Sequence, residues 1–301
     1  MNRLLCIVAV ALATQRDATA CTTLPPCEPI APLASADAAM SKLAASDGAV
    51  VARAAVTLAA SDHADQLATL GRALRKPAVL ARIMKTDQAL RCVMPAVLGA
   101  LAANPSPAAR KELISLVGSP AWAEQPGSNG SDLQNALLRA TGRFRPVAPE
   151  ITAMWERMAA PHEGWVNVTT MVLAENATPE AAALFERLLR DPEQDLQERI
   201  DWLHSSLVAH RDRVELLAMV ARLLDGKLPA ELVTALIEGV FDYQQQWYGT
   251  CPGPTVVALA SYSPEARAAL HTVAAKARAQ HPAKPLAAAI DTALRELDRL
   301  H

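Results

Sequence analysis

Leu101-Ala-Ala-Asn-Pro-Ser-Pro107-Ala-Ala-Arg-Lys-Glu-Leu113 ends one apolar run and starts another, and the chain writes nearly the same junction twice more. The second copy is Leu173-Ala-Glu-Asn-Ala-Thr-Pro179-Glu-Ala-Ala-Ala-Leu184. The third is Leu259-Ala-Ser-Tyr-Ser-Pro264-Glu-Ala-Arg-Ala-Ala-Leu270. In each, a hydroxyl (Ser106, Thr178, Ser263) stands where a helix N-cap accepts a free backbone N–H. The proline that follows suits the first helical turn, where its missing N–H has no partner to lose. A recurring helix–turn–helix unit implies stacked helical hairpins, each burying its apolar ridge against the next.

Composition points the same way. Of 301 residues, 51% are hydrophobic, about a fifth are alanine and only 4% are aromatic. Alanine is the strongest helix former and lets helices approach closely. Glycine (12) is scarce beside proline (21). Strands would need β-branched and aromatic runs with glycine turns. The fold class expected is all-α, with stacked antiparallel hairpins in irregular repeats. The three junction prolines lie 72 and 85 residues apart, room for two hairpins of about 36–43 residues in each gap. With proline at helix starts and Leu/Ala/Val stripes, this resembles the HEAT-like helical-repeat (α-solenoid) family over most of the chain. The resemblance implies a protein that binds partners along one face of the stack.

The amino terminus reads as a leader. Met1-Asn2-Arg3 is followed by the apolar run Leu4 to Ala13, and Ala18-Thr19-Ala20 offers a signal-peptidase site. The run is too short to span a bilayer. Residues 1–20 are therefore expected to be a signal peptide, and the protein to be periplasmic or secreted. Cleavage would leave Cys21 first. That raises a lipid anchor at Cys21, although Gln15-Arg16-Asp17 interrupts the apolar run that a lipoprotein leader continues. No later segment offers a transmembrane span.

Export makes the four remaining cysteines, Cys21, Cys27, Cys92 and Cys251, candidates for two disulfides in three pairings. A local Cys21–Cys27 bridge around Pro25-Pro26 would leave Cys92 to pair with Cys251. The alternative has Cys92 as a buried thiol. Cys92 lies off the apolar stripe of its helix, where a partner can reach it.

Residues 21–35 read as an extended arm. Helical periodicity follows over 36–117 and again over 132–301, with helices expected over 87–103, 193–209, 229–247 and 253–261 among others. Between the two halves, 118–131 carries Gly118, Pro120, Pro126, Gly127 and Gly130, and reads as a loop dividing them.

The net charge of −2 gives no electrostatic case for nucleic acid. The basic run from Arg72 to Arg82 reads as a solvated face. His204 and His210, six apart, cannot share a helix face as metal ligands. No nucleophile elbow or phosphate loop occurs, and neither metal nor cofactor is expected. Asn129, Asn167 and Asn176 head glycosylation triplets, which matter only in a eukaryotic source.

The segment richest in chemistry is Phe241 to Pro252. Asp242, Tyr243, Gln246, Trp247 and Tyr248, with Tyr262 beyond, combine rings that stack with groups that hydrogen-bond. These residues form the candidate ligand or partner site. Two readings compete. One is a non-enzymatic exported repeat protein binding a protein or cell-envelope component. The other is a periplasmic or secreted all-α enzyme with its site around Asp242 to Tyr248.

Overall fold

The structure is a computed structural model. It describes residues 27–300, apart from 87–88, 118, 124–128, 161–164, 243–246, 249–250 and 253–257; at 90, 91, 123, 129–132, 247, 248, 251 and 252 it describes the backbone alone. The leader and Cys21 lie outside the described residues. The described chain forms two compact units, Cys27–Leu184 and Phe185–His301.

The first unit contains α1 (Ala36–Lys42), α2 (Gly48–Ala59), α3 (Ala64–Leu74), α4 (Pro77–Met84), α5 (Met94–Ala103), α6 (Pro107–Leu116), α7 (Pro120–Ala123), α8 (Asn129–Thr141), α9 (Pro149–Met158) and α10 (Val166–Asn176). A further helix, α11 (Pro179–Arg190), runs across the division. Helices stack in order of sequence. One row runs α2, α5, α8, α10, and α3 packs on α6 beside it. This is the expected all-α, helical-repeat packing.

The repeated junctions hold the rows in register. Ser106 Oγ accepts the Ala108 N–H (3.2 Å) and Ser263 Oγ the Ala266 N–H (3.1 Å), each just ahead of a proline at the first helical position. Thr178 Oγ1 accepts from Ala181 N at 3.4 Å. A second polar position was not anticipated. Leu58, Leu101, Leu138 and Leu173 are fully buried at the ends of α2, α5, α8 and α10, and three residues after each stands Ser61, Asn104, Thr141 or Asn176. Asn104 Nδ2 donates to Ala59 O (2.9 Å), the last residue of α2, and to Ser61 O (2.7 Å) just past it. Asn176 Nδ2 donates to Gly142 O (2.9 Å) and Phe144 O (3.2 Å), just past α8. Each asparagine thus caps carbonyls left over by the neighbouring helix of its row. Asn176, 2% exposed, serves as a structural tie rather than as a surface acceptor for a glycan.

The cysteine pairing is corrected. Cys27 is bonded to Cys92, 65 positions further along the chain, with Cα atoms 5.5 Å apart. Neither Cys21–Cys27 nor Cys92–Cys251 pairing can coexist with it. The arm that carries Cys27 folds back along α2, where Leu33 N donates to Thr57 Oγ1 (2.8 Å) and Arg53 Nε to Ala31 O (2.9 Å). Cys92 sits in a π turn, Ala89–Val93, immediately before α5, rather than in one helix over 87–103. Pro95 near the start of α5 has no N–H for a regular i→i−4 ladder, which favours such a widened turn.

The segment 118–131 is less of a loop than its breakers suggest. Pro120 opens the single turn α7, whose Trp122 is fully buried and donates Nε1–H to Leu74 O (2.9 Å). Across this segment, α8 packs on both α5 and α6, so the chain does not divide there.

The second unit contains α12 (Leu196–Trp202), continued by a π turn (Leu203–Leu207) and a 3-10 turn (Val208–His210), then α13 (Val214–Leu224), α14 (Ala230–Phe241), α15 (Pro264–Ala279) and α16 (Lys284–Arg299). Again alternate helices pack: α12 on α14, α14 on α16, and α13 on α15. The helix expected over 229–247 ends at Phe241. Trp247–Tyr248 and Cys251–Pro252 instead form a short antiparallel ladder, β1 and β2, pairing Trp247 with Pro252 and Tyr248 with Cys251. Aromatic residues suit extended backbone better than helix. Of the helix expected over 253–261, the described residues retain a 3-10 turn at Leu259–Ser261.

Candidate functional site

The α14 sequence, Ala-Glu-Leu-Val-Thr-Ala-Leu-Ile-Glu-Gly-Val-Phe, buries Leu232, Leu236 and Val240 on one line and turns Thr234 and Glu238 outward. Pro229 precedes its first turn. Asp242 closes it with φ −129°, outside the helical region, while its N–H still donates to Glu238 O (3.0 Å). The helix ends there, so the Asp242 side chain stands at a rim rather than on a continuing helical face.

Opposite lies the tight turn between α15 and α16. His281 adopts φ +52°, a left-handed conformation that reverses the chain after α15. Gln280 Nε2 donates to Leu224 O (2.9 Å) and fixes the turn against the end of α13. Between α14 and this turn is a cleft of about 460 Å³. Val233, Ile237 and Leu286 give it an apolar wall, and Glu238, Asp242 and His281 bring polar groups to it. A second cleft, of about 380 Å³, lies on the other side of Asp242 and is reached by Arg211, Leu259 and Glu296. Asp242 therefore borders both.

The six expected site residues separate. Asp242 is half-buried between the clefts. Tyr243 and Gln246 lie outside the described residues. For Trp247 and Tyr248 the backbone ladder places them on the strand that follows α14.

Tyr262 is a correction. It is 3% exposed, and burial pushes its phenol up to about 12, with Arg211 opposing that shift through its charge and a hydrogen bond. Arg211 Nη1 also donates to Val240 O (3.0 Å), near the end of α14. Counted from Leu259, Tyr262 occupies the place that Asn104 and Asn176 hold after Leu101 and Leu173. It is a buried junction residue and offers no ring for a partner to stack on.

The turn residues Gln280, His281 and Pro282, with Leu286, were missed by the sequence reading. They lie some forty residues from Asp242, and the one local hint was the pair Pro282 and Pro285 bracketing a helix start. Among the described residues, no three of His, Cys, Asp and Glu gather as metal ligands. The described helices include none long and apolar enough to cross a membrane. Comparison with protein families, with characterised proteins and with solved structures finds no match to this chain.

Proposed function

We propose that this chain is an exported, HEAT-like repeat protein that binds a protein or cell-envelope partner without catalysing a reaction on it. The cleft between α14 and the α15–α16 turn, with Asp242 at its rim, carries the proposal. Its apolar wall would desolvate part of a partner, and Glu238, Asp242 and His281 would fix its polar groups. The sequential stacking of helices within each unit supports the reading, because such stacks offer long, adaptable faces for binding. The Cys27–Cys92 disulfide fits an oxidising compartment, and the leader pattern of residues 1–20 fits export.

The test is a pull-down from envelope extract. Wild-type protein should recover a partner, and Thr234→Lys/Asp242→Lys should lose it. Arg295→Ala, on α16 away from the cleft lining, should retain it. Failure of the wild type to recover any partner, or equal recovery by the cleft variant, would overturn the proposal.

A further inference from the structure

The basic run from Arg72 to Arg82 is more than a solvated face: it borders a groove in the first unit, apart from the cleft beside Asp242. From Gly71 to Thr86 the chain carries Arg72, Arg75, Lys76, Arg82 and Lys85 and no acidic residue. Arg75 is neutralised by Glu112 at 3.0 Å. Arg72, Lys76 and Arg82 instead line a groove of about 330 Å³ between α1, α3 and α4, and among the described residues no carboxylate lines it. Thr69, Arg72 and Lys76 follow at helical spacing along α3 and its end, so they border the groove from one side. Arg72 Nη2 donates to Thr69 Oγ1 (2.9 Å), which orients the guanidinium. Arg82 reaches across from α4, with Nη1 on Ala44 O (2.9 Å) and Ala45 O (2.6 Å) and Nε on Ala78 O (3.0 Å). Those partners are neutral carbonyls, so the charge is held in place without being cancelled. Lys76 is also the N-cap of α4 and makes no side-chain cap, which leaves the positive end of that helix toward the same rim. The floor is apolar, from Met40 and Leu43 on the α1 side and Val79 on α4.

We infer that this groove binds an anionic phospholipid, with the phosphate held by Arg72 and Lys76 and the start of the acyl chain on Met40, Leu43 and Val79. The two halves of the groove decide the ligand class. Cations alone would suit any anion, and an apolar floor alone would suit any hydrocarbon; adjoining each other, they suit a molecule with both. Basic side chains at a lipid headgroup act additively, so two or three of them suffice to discriminate an anionic head from a zwitterionic one.

Isothermal titration with short-chain lipids below their micelle concentration tests this on the whole chain. Dihexanoyl-phosphatidylglycerol should bind at least tenfold more tightly than dihexanoyl-phosphatidylcholine, which lacks net charge, and than glycerol phosphate, which lacks the chains. Arg72→Ala/Lys76→Ala should weaken phosphatidylglycerol binding at least tenfold. Lys227→Ala/Lys284→Ala removes the same charge from exposed sites elsewhere and should stay within twofold of wild type. Amide shifts on titrating the wild type should cluster at residues 40–44 and 69–82, a readout that needs no variant. Several results would each overturn the inference: no binding of phosphatidylglycerol by the wild type, equal binding of phosphatidylcholine, glycerol phosphate bound as tightly as the lipid, undiminished binding by the Arg72/Lys76 variant, or shifts centred elsewhere.

Discussion

Replacing Asn176 by alanine tests whether the buried asparagines hold the helix rows together. The side chain is 2% exposed and makes four hydrogen bonds. Nδ2 donates to Gly142 O and Phe144 O, and Oδ1 accepts from Thr178 N (3.3 Å) and Thr178 Oγ1 (2.7 Å). A net contribution of about 1 kcal/mol per bond gives about 4 kcal/mol at most. Two of the four losses are softened, because Arg145 Nη1 also donates to Gly142 O and Phe144 O, both at 2.9 Å, and those carbonyls keep a partner. The Thr178 N–H donates to Asn176 Oδ1 and finds no second acceptor among the described residues. An expected loss of about 3 kcal/mol follows. Asn104→Ala should cost about 2 kcal/mol, since Asn104 is only half-buried and makes three bonds. Asn135→Ala, which gives up one exposed bond from Arg139 (2.9 Å), should cost less than about 0.5 kcal/mol. Urea titration followed by circular dichroism gives the ranking, and hydrogen exchange gives the place: protection should fall first at residues 142–145 and 178. A loss below about 1 kcal/mol for Asn176→Ala, or equal losses at Asn176 and Asn135, would refute the idea that these side chains cap the neighbouring helix.

Three further outcomes follow from the geometry. Cys27→Ser/Cys92→Ser opens a loop spanning 65 residues and should cost about 4 kcal/mol on the chain-entropy account, read as a lower urea midpoint; peptide mapping without reductant should recover Cys27 linked to Cys92, and recovery of Cys92 with Cys251 would contradict the fold of the arm. Tyr262 should ionise near pH 12 in an ultraviolet phenolate titration, and Tyr262→Phe should delete that step; because the folded pKa is raised above the unfolded value near 10, its stabilising share is intact below pH 10 and is lost as pH rises through 12, about 3 kcal/mol in all, so a wild-type and Phe variant that lose stability in parallel from pH 9 to 12 would show that the phenol is not buried. Gly48→Ala sets a new Cβ 2.1 Å from the backbone Arg82 O and should cost about 2–3 kcal/mol in melting experiments, whereas Gly226→Ala meets only the flexible end of Arg190, 2.5 Å away, and should cost less than about 1 kcal/mol.

Helix starts were legible because their chemistry is local. Ser106-Pro107 and Ser263-Pro264 need nothing beyond the next turn to act as cap and first residue. The disulfide was not legible in the same way. Cys27 meets Cys92 because the arm lies along α2, and the contacts that lay it there, Leu33 to Thr57 and Ala31 to Arg53, join residues more than twenty apart with no pattern to mark them. The density of breakers over 118–131 misled for a related reason. Pro120 reads as an interruption, yet it opens a turn whose purpose is to bury Trp122 under Leu74, a partner 48 residues away. Half of the candidate cleft was hidden likewise, since Asp242 was visible as the end of an aromatic-rich segment while His281 and Leu286 arrive from the α15–α16 turn.

Tyr262 shows how a correct pattern led to a wrong role. Aligned on their prolines, the three junctions place an asparagine before Ser106 and Thr178 and leave Tyr262 as an aromatic extra beside the ligand-like segment. The third junction is one residue shorter, however, and aligned on its leucine it puts Tyr262 in the asparagine's place. The physical demand at that place is the same in all three: the carbonyls that end the adjacent helix must find donors. Asparagine meets them directly with its amide. A phenol has a single proton and a rigid ring, so the donation to Val240 O falls to Arg211, and the hydroxyl holds Arg211 in turn. It follows that Tyr262 and Arg211 should be replaceable only together, and that Tyr262→Phe should loosen the end of α14, whose last residues carry Asp242 to the rim of the cleft.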